Sequence, residues 1–271
     1  MAQTGSTNGT WWRRLLRRLG VDGEPVPGKR RPIVSRGWRH VSLQFTREDA
    51  QSRMLRRHPD HLLVDYTRTM MGALAFQPTP ADIGLVGLGG GSQAKYCHRH
   101  LTAARIEAIE INPHVIALRR RFKVPDDDAR FRVVEADAAA LLPERRAAYD
   151  LLLVDGYDET GLPEALSTDA FYASCRAALR PGGVLATNLY CDDVAAHLSR
   201  LKLRFDGRVL VLEEPRMSNL VAFAWVGDCV PASRIELGQR LERLPTALRM
   251  DLQGVFSRVA NALVRDGRMA G

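Results

Sequence analysis

The chain has little cysteine: four residues in 271, with no Cys-x-x-Cys pair and no histidine at ligand spacing beside any of them. Cys97, Cys175, Cys191 and Cys229 therefore build neither a disulfide framework nor a structural zinc site, and no metal is expected. Reduced, mostly buried thiols suit a cytoplasmic protein. Long apolar runs are also missing, since none approaches the roughly 20 residues that cross a bilayer. The apolar residues near the N-terminus are interrupted by arginines, unlike those of a secretory signal. No RNA-binding module signature and no helix-turn-helix pattern accompanies the net charge of +8. Much of that charge is local, in Arg13, Arg14, Arg17, Arg18 and Lys29 to Arg31. It reads as a solvated basic segment, and no nucleic-acid partner is expected.

What is present is ordinary for a globular protein, with 45% hydrophobic and 26% charged residues. Residues 1–30 read as a basic segment, disordered at first. Within it, residues 11–19 alternate apolar and arginine pairs, which makes a short amphipathic helix. Its role is open between lying on an anionic membrane surface, docking on a partner, docking on the body of its own protein and fraying in solvent. A Pro/Gly-rich linker over 21–31 leads to a segment, 31–78, with a β-hairpin made of 31–35 and 39–45 around Gly37. Residues 51–74 then read as helical, broken at His58-Pro59-Asp60.

From Ile83 the rhythm changes to strand and helix in alternation, and residues 79–228 read as one α/β domain. Strands are expected at 83–86, 105–109, 131–134, 151–154 and 184–189, with helices through about 100, over 113–122 and over 169–179. The run 151–154 is purely apolar, as in a strand buried on both faces. Such repeats imply a parallel sheet with right-handed crossovers, and ligands sit beyond the carboxyl ends of its strands. A closing antiparallel hairpin is expected over 209–226, and residues 229–271 read as a helical appendage.

Three strand ends carry chemistry. After the first comes Gly87-Leu-Gly89-Gly-Gly91-Ser92, whose alternate glycines permit a tight turn and a close ligand. The second ends in Glu110, nineteen residues past Gly91, where a carboxylate can accept from both hydroxyls of a ribose. The third ends in Asp137-Ala138, where a carboxylate can accept from an adenine amino group. For either acid alone, capping the next helix is the competing reading. The coincidence of all three points to an adenosine pocket. The fourth strand ends in Asp155-Gly-Tyr157-Asp158. Two acids three apart can hold an ammonium and accept its proton, with turn-building as the competing role.

With these residues the chain resembles the spermidine synthase family of aminopropyltransferases, in a divergent bacterial branch. The resemblance runs from about residue 33 to 226 and is most specific at the glycine loop, Glu110, Asp155-Gly-Tyr-Asp158 with Gly161, Phe171-Tyr172 and Pro181-Gly-Gly. It implies a Rossmann-like fold of the S-adenosylmethionine-dependent methyltransferase type with a small N-terminal β-hairpin domain, and an oligomer, most simply a homodimer. It implies aminopropyl transfer from decarboxylated S-adenosylmethionine, a co-substrate rather than a tightly bound cofactor, to an amine in polyamine biosynthesis. Asp155 would be the proton acceptor and Asp158 would help hold the amine. Gly87, Gly89, Gly91, Glu110, Asp137 and Ala138 would bind the nucleoside, and Gln51, Tyr157 and Asn188 the acceptor.

Three departures accompany the resemblance. The family's loop usually reads Gly-Gly-Gly-Asp-Gly-Gly, its Asp gripping the donor's amino group; Gly90 stands at that place. Where the family has Tyr, then His or Gln, then Glu near the start of its first long helix, this chain has Gln51-Ser52-Arg53. On the late hairpin, Arg216 stands for a tyrosine lining the amine channel. Losing an acid and gaining a guanidinium both disfavour a dicationic substrate. Methyl transfer from intact S-adenosylmethionine, and a non-catalytic nucleoside-binding role, remain alternatives.

Overall fold

The apolar run Leu151–Val154 lies in β7 (Tyr149–Val154), fully enclosed near the middle of the molecule. The computed structural model describes residues 29–45, 50–158 and 161–270. The polar tail, the amphipathic segment expected over 11–19 and most of the following linker lie outside the described residues.

Around β7 stand β4 (Asp82–Val86), β5 (Arg105–Glu110), β6 (Phe131–Glu135), β8 (Leu179–Leu189), β9 (Val209–Glu213) and β10 (Leu220–Trp225). They form one sheet in the order β6-β5-β4-β7-β8-β10-β9. The first five in that order are parallel, and β10 and β9 close the edge antiparallel, as the hairpin pattern predicts. Between β4 and β7 the chain reverses its direction of travel across the sheet, which opens a crevice at the strands' carboxyl ends. Alternation along β7 sends Leu151 and Leu153 into one core and Leu152 and Val154 into the other. Both faces are therefore covered, and a polar side chain within Leu151–Val154 would lack a partner.

The helices are α1 (Asp65–Met70), continued by a 3₁₀ turn (Met71–Ala75), α2 (Ser92–His100), α3 (Pro113–Ile116), α4 (Ala138–Leu141), α5 (Asp169–Ala178), α6 (Val194–Arg204), α7 (Arg234–Glu242) and α8 (Thr246–Arg265). The helix expected over 113–122 is α-helical only to Ile116 and continues in turns, ending where Lys123 takes a left-handed φ of 55°. None of the described helices is long and apolar enough to cross a membrane.

Two expectations are overturned here. The stretch from Gln51, read as helical, begins as β3 (Ala50–Leu55), paired with β2 (His40–Gln44), which pairs in turn with β1 (Ile33–Arg36). The hairpin is thus a three-stranded sheet. Helix-compatible side chains yielded to pairing with β2, which buries Ser52 and Met54 on one face. Helix formation waits until after Pro59. The second correction concerns the C-terminal segment expected as an appendage. It is helical, but Leu248, Leu252, Val255, Phe256, Val259 and Leu263 of α8 recur at helical spacing inside the same core as Leu151 and Phe223. Gly72 allows this approach, because a Cβ there would lie 2.8 Å from a Val255 methyl.

Candidate active site

The strand ends, the small sheet and the β9–β10 turn enclose a cavity of about 910 Å³. That is room for a nucleoside together with a second small molecule.

Gly87, Gly89 and Gly91 all take positive φ (91°, 52° and 67°), so the alternate glycines are a conformational requirement. A Cβ on Gly87 would also overlap the Asp155 carbonyl oxygen, and one on Gly91 a methyl of Val124. Behind the loop Lys95 is buried, donating to the carbonyls of Gly90 (2.8 Å) and Phe122 (2.9 Å). Burial brings its pKa down to about 7.

Glu110 lies buried beside the loop, its Oε2 accepting the Leu88 N–H (2.9 Å) and its Oε1 the Asn112 N–H (2.8 Å). Desolvation nevertheless pushes its pKa up against these backbone bonds. It does not cap the next helix; Asn112 does, accepting from the N–H of His114. Asp137 does cap, its Oδ1 accepting the Ala139 N–H at 2.9 Å. Asp137 and Ala138 both line the cavity, and Ile111, 36% exposed, stands on the same wall.

At the cavity floor Asp155 accepts the Asn188 side-chain amide on Oδ1 (2.9 Å) and the Tyr66 hydroxyl on Oδ2 (3.0 Å). Desolvation raises its pKa, opposed by these two donors. The Tyr66 hydroxyl is held well above its ordinary pKa by burial first and then by the Asp155 charge. It therefore remains a donor. Asn188 is itself held by Asn219, whose Nδ2 donates to its Oδ1 at 2.9 Å. Both atoms of the Asn188 amide thus have partners within the protein, so this residue sets Asp155 in place.

Tyr157 donates to the Asn188 carbonyl (3.1 Å) and accepts the Tyr190 N–H (2.6 Å), which ties the end of β7 to the end of β8. Asp158 pairs its backbone N–H with the Gly161 carbonyl at 2.9 Å. Its own carbonyl accepts Gln51 Nε2 at 2.8 Å. Gln51 reaches it because the pairing of β2 with β3 slips beside Leu43 and Gln44, leaving Gln51 as the extra residue of a bulge. Bulges re-aim side chains in this way.

Sequence reasoning missed two residues that set Asp155 in place. A helix expected from Gln51 hides Tyr66 in its interior, whereas the first helix begins Asp65-Tyr66-Thr67-Arg68. A tyrosine therefore does stand at the start of that helix, and the proline at 59 was the signal that the helix lay after it. Asn219 had no signal, because its importance is a contact across 31 residues. Ser52 packs against Gly90 so closely that a Cβ at 90 would overlap its Oγ. Arg216, singled out from the sequence, lines the cavity from the β9–β10 turn.

This architecture is the α/β Rossmann-like fold of S-adenosylmethionine-binding transferases, with a small antiparallel sheet at its N-terminal side. Residues 64–201 match the spermine/spermidine synthase domain. The chain is 34% identical over 220 residues to a polyamine aminopropyltransferase of Neisseria meningitidis serogroup A, covering 80% of this chain and 84% of that one. With the polyamine aminopropyltransferase of Chromobacterium violaceum it shares 37% over 187 residues, 68% of this chain and 72% of the other. A probable spermidine synthase from Corynebacterium glutamicum superposes with a TM-score of 0.66 at 16% identity, over 83% of this chain and 91% of that one. The protein belongs to the spermine/spermidine synthase family, and its general class is a transferase of the aminopropyltransferase type.

Proposed function

We propose that the protein moves an aminopropyl group from decarboxylated S-adenosylmethionine to an amine, with Asp155 accepting the amine's proton. The observation that carries this reading is Asp155 itself: a desolvated carboxylate on the cavity floor, aimed by Tyr66 and Asn188. An amine of pKa near 10 is almost wholly protonated at neutral pH and must lose a proton before it can attack. A carboxylate of raised pKa is the better base for this task. The nitrogen lone pair then forms a bond to the methylene next to the sulfonium. The carbon–sulfur bond breaks, its electron pair returns to sulfur, and methylthioadenosine leaves uncharged.

In this reading the Gly87–Gly91 loop and Glu110 hold the ribose, Glu110 being aimed by the backbone N–H groups it accepts. Asp137 and Ala138 meet the adenine edge, and Ile111 offers the ring an apolar face. Asp158 binds the amine, with Gln51 and Tyr157 keeping its segment in place. Incubation with decarboxylated S-adenosylmethionine and a panel of amines should release methylthioadenosine. If no amine yields release above the blank, the reading is wrong.

A second reading, methyl transfer from intact S-adenosylmethionine, is favoured by Gly90, which leaves the donor end without an acid at that position. Calorimetry with the two donors separates them: tighter binding of the decarboxylated form rules against methyl transfer.

A homodimer fits the family resemblance and the 89% exposure of Trp38 at the hairpin turn, and sedimentation would show a monomer if it is absent. A cytoplasmic location accords with four unpaired cysteines. Contact of residues 11–19 with an anionic surface predicts that deleting 1–24 abolishes vesicle binding.

A further inference from the structure

The cavity carries one cationic side chain among the described residues, Arg216, in a wall otherwise lined by four acids and neutral groups. Arg216 sits on the turn between β9 and β10, exposed, and makes no ion pair or hydrogen bond with any described residue. The turn that bears it is not a loose surface loop. Glu214 donates its N–H to the Asn219 carbonyl at 3.0 Å. Asn219 bonds Asn188, and Asn188 bonds Asp155, each at 2.9 Å. From the other side Arg258 of α8 holds the Glu213 carbonyl (2.6 Å) and the Glu214 carboxylate (3.2 Å). The backbone carrying the guanidinium is therefore linked by side-chain bonds to the carboxylate at the cavity floor.

Two kinds of charge thus face one space. Asp155 on the floor suits an ammonium, and Arg216 on the wall suits an anion. A diamine with a positive charge at each end meets attraction at one end and repulsion from the guanidinium, whereas an amine that also bears a carboxylate satisfies both. Arginine is well shaped for that task, since its planar fork meets a carboxylate with two parallel hydrogen bonds. We propose that the acceptor is a carboxylated amine, of the class of amino acids with a side-chain amine, whose carboxylate is held by Arg216 while its amine approaches Asp155. The inference rests on the aminopropyl-transfer reading for placing the acceptor at this end of the cavity. The reaction remains as balanced above: the side-chain nitrogen forms the new bond to carbon, sulfur takes the electron pair, and Asp155 takes the proton.

The test uses ornithine and putrescine, which differ only by the carboxylate. Calorimetry on the full chain saturated with methylthioadenosine should show ornithine binding about tenfold more tightly than putrescine, the scale of one favourable charge pair. Arg216→Gln should remove that preference with the melting temperature unchanged, because the side chain is exposed and supports nothing. Tighter binding of putrescine by the unmodified protein overturns the proposal, as does a preference that survives Arg216→Gln. A parallel titration covers the donor. If Arg216→Gln weakens intact S-adenosylmethionine and leaves ornithine unaffected, the carboxylate in question is the donor's and the proposal also falls. Methylthioadenosine release with both amines is measured alongside. An ornithine preference without release leaves Arg216's role standing and removes aminopropyl transfer, so the two failures are told apart.

Discussion

Arg258 on the last helix bonds both Thr69 of α1 (2.9 Å) and the buried Glu214 of the β9–β10 turn (3.2 Å). Through this one guanidinium α8 joins the helix that carries Tyr66 to the turn that carries Arg216. Asp251, two turns earlier, makes a similar connection, accepting from Arg68 of α1 (3.0 Å) and Tyr96 of α2 (2.8 Å). The C-terminal helix therefore braces three of the elements that border the cavity.

Arg258→Met should leave Glu214 buried without its cation. Loss of one partner of a buried pair is costly, and because Arg258 is itself partly exposed we expect about 2 kcal/mol of stability to be lost. Urea denaturation measures this. The same variant should raise the KM of the acceptor more than that of the donor, since in the proposed reading the turn's Arg216 holds the acceptor. Equal changes in both would mean that the brace acts on the fold as a whole.

Asp155→Asn should abolish turnover and yet stabilise the protein. A folded-state pKa raised above the unfolded value means that folding favours the protonated form. That contribution is fully present below the ordinary aspartate pKa and is lost as pH rises through the raised folded value. Ionising Asp155 in the fold thus works against stability, a burden that asparagine relieves. Thermal melts should show the variant melting higher at pH 7, with the difference shrinking in acid. A lower melting point at pH 7 would contradict the sign.

As the proposed proton acceptor, Asp155 should set the acid limb of the pH–rate profile, with activity falling as pH drops through a value above the usual carboxylate range. Tyr66→Phe deletes a hydrogen bond that favours the ionised form. The acid limb should then move up by about one pH unit, with kcat at the plateau reduced about tenfold. A purely structural tyrosine would change stability and leave the limb in place.

Gly90→Asp, which restores the family's usual residue, should be poorly tolerated here. Its Cβ meets the Ser52 Oγ, and Ser52 is anchored in β3. We expect a loss of about 2 kcal/mol, typical of overpacking. Adding Ser52→Ala should recover part of it. Additive losses in a double-mutant cycle would show that the two positions do not share this space.

Periodicity and turn residues located the strands of the large sheet, most plainly at Leu151–Val154, where burial on both faces leaves little freedom of composition; at the edge, β6 keeps Arg132 and Glu135 exposed. The glycine loop, Glu110, Asp137 and the Asp155–Asp158 segment were legible for a related reason: in a parallel sheet the carboxyl ends of successive strands share one edge, so strand order places these residues together. Tertiary structure decided the rest. Whether Gln51–Leu55 became strand or helix depended on a partner strand, and its local pattern suited both. Whether residues 246–265 formed an appendage or a wall of the core depended on Val255 meeting Gly72. Asp155 could be proposed as a base from its position, but its two donors, Tyr66 and Asn188, stand 89 and 33 residues away. Contacts at such separations follow from packing, which no short stretch of sequence specifies.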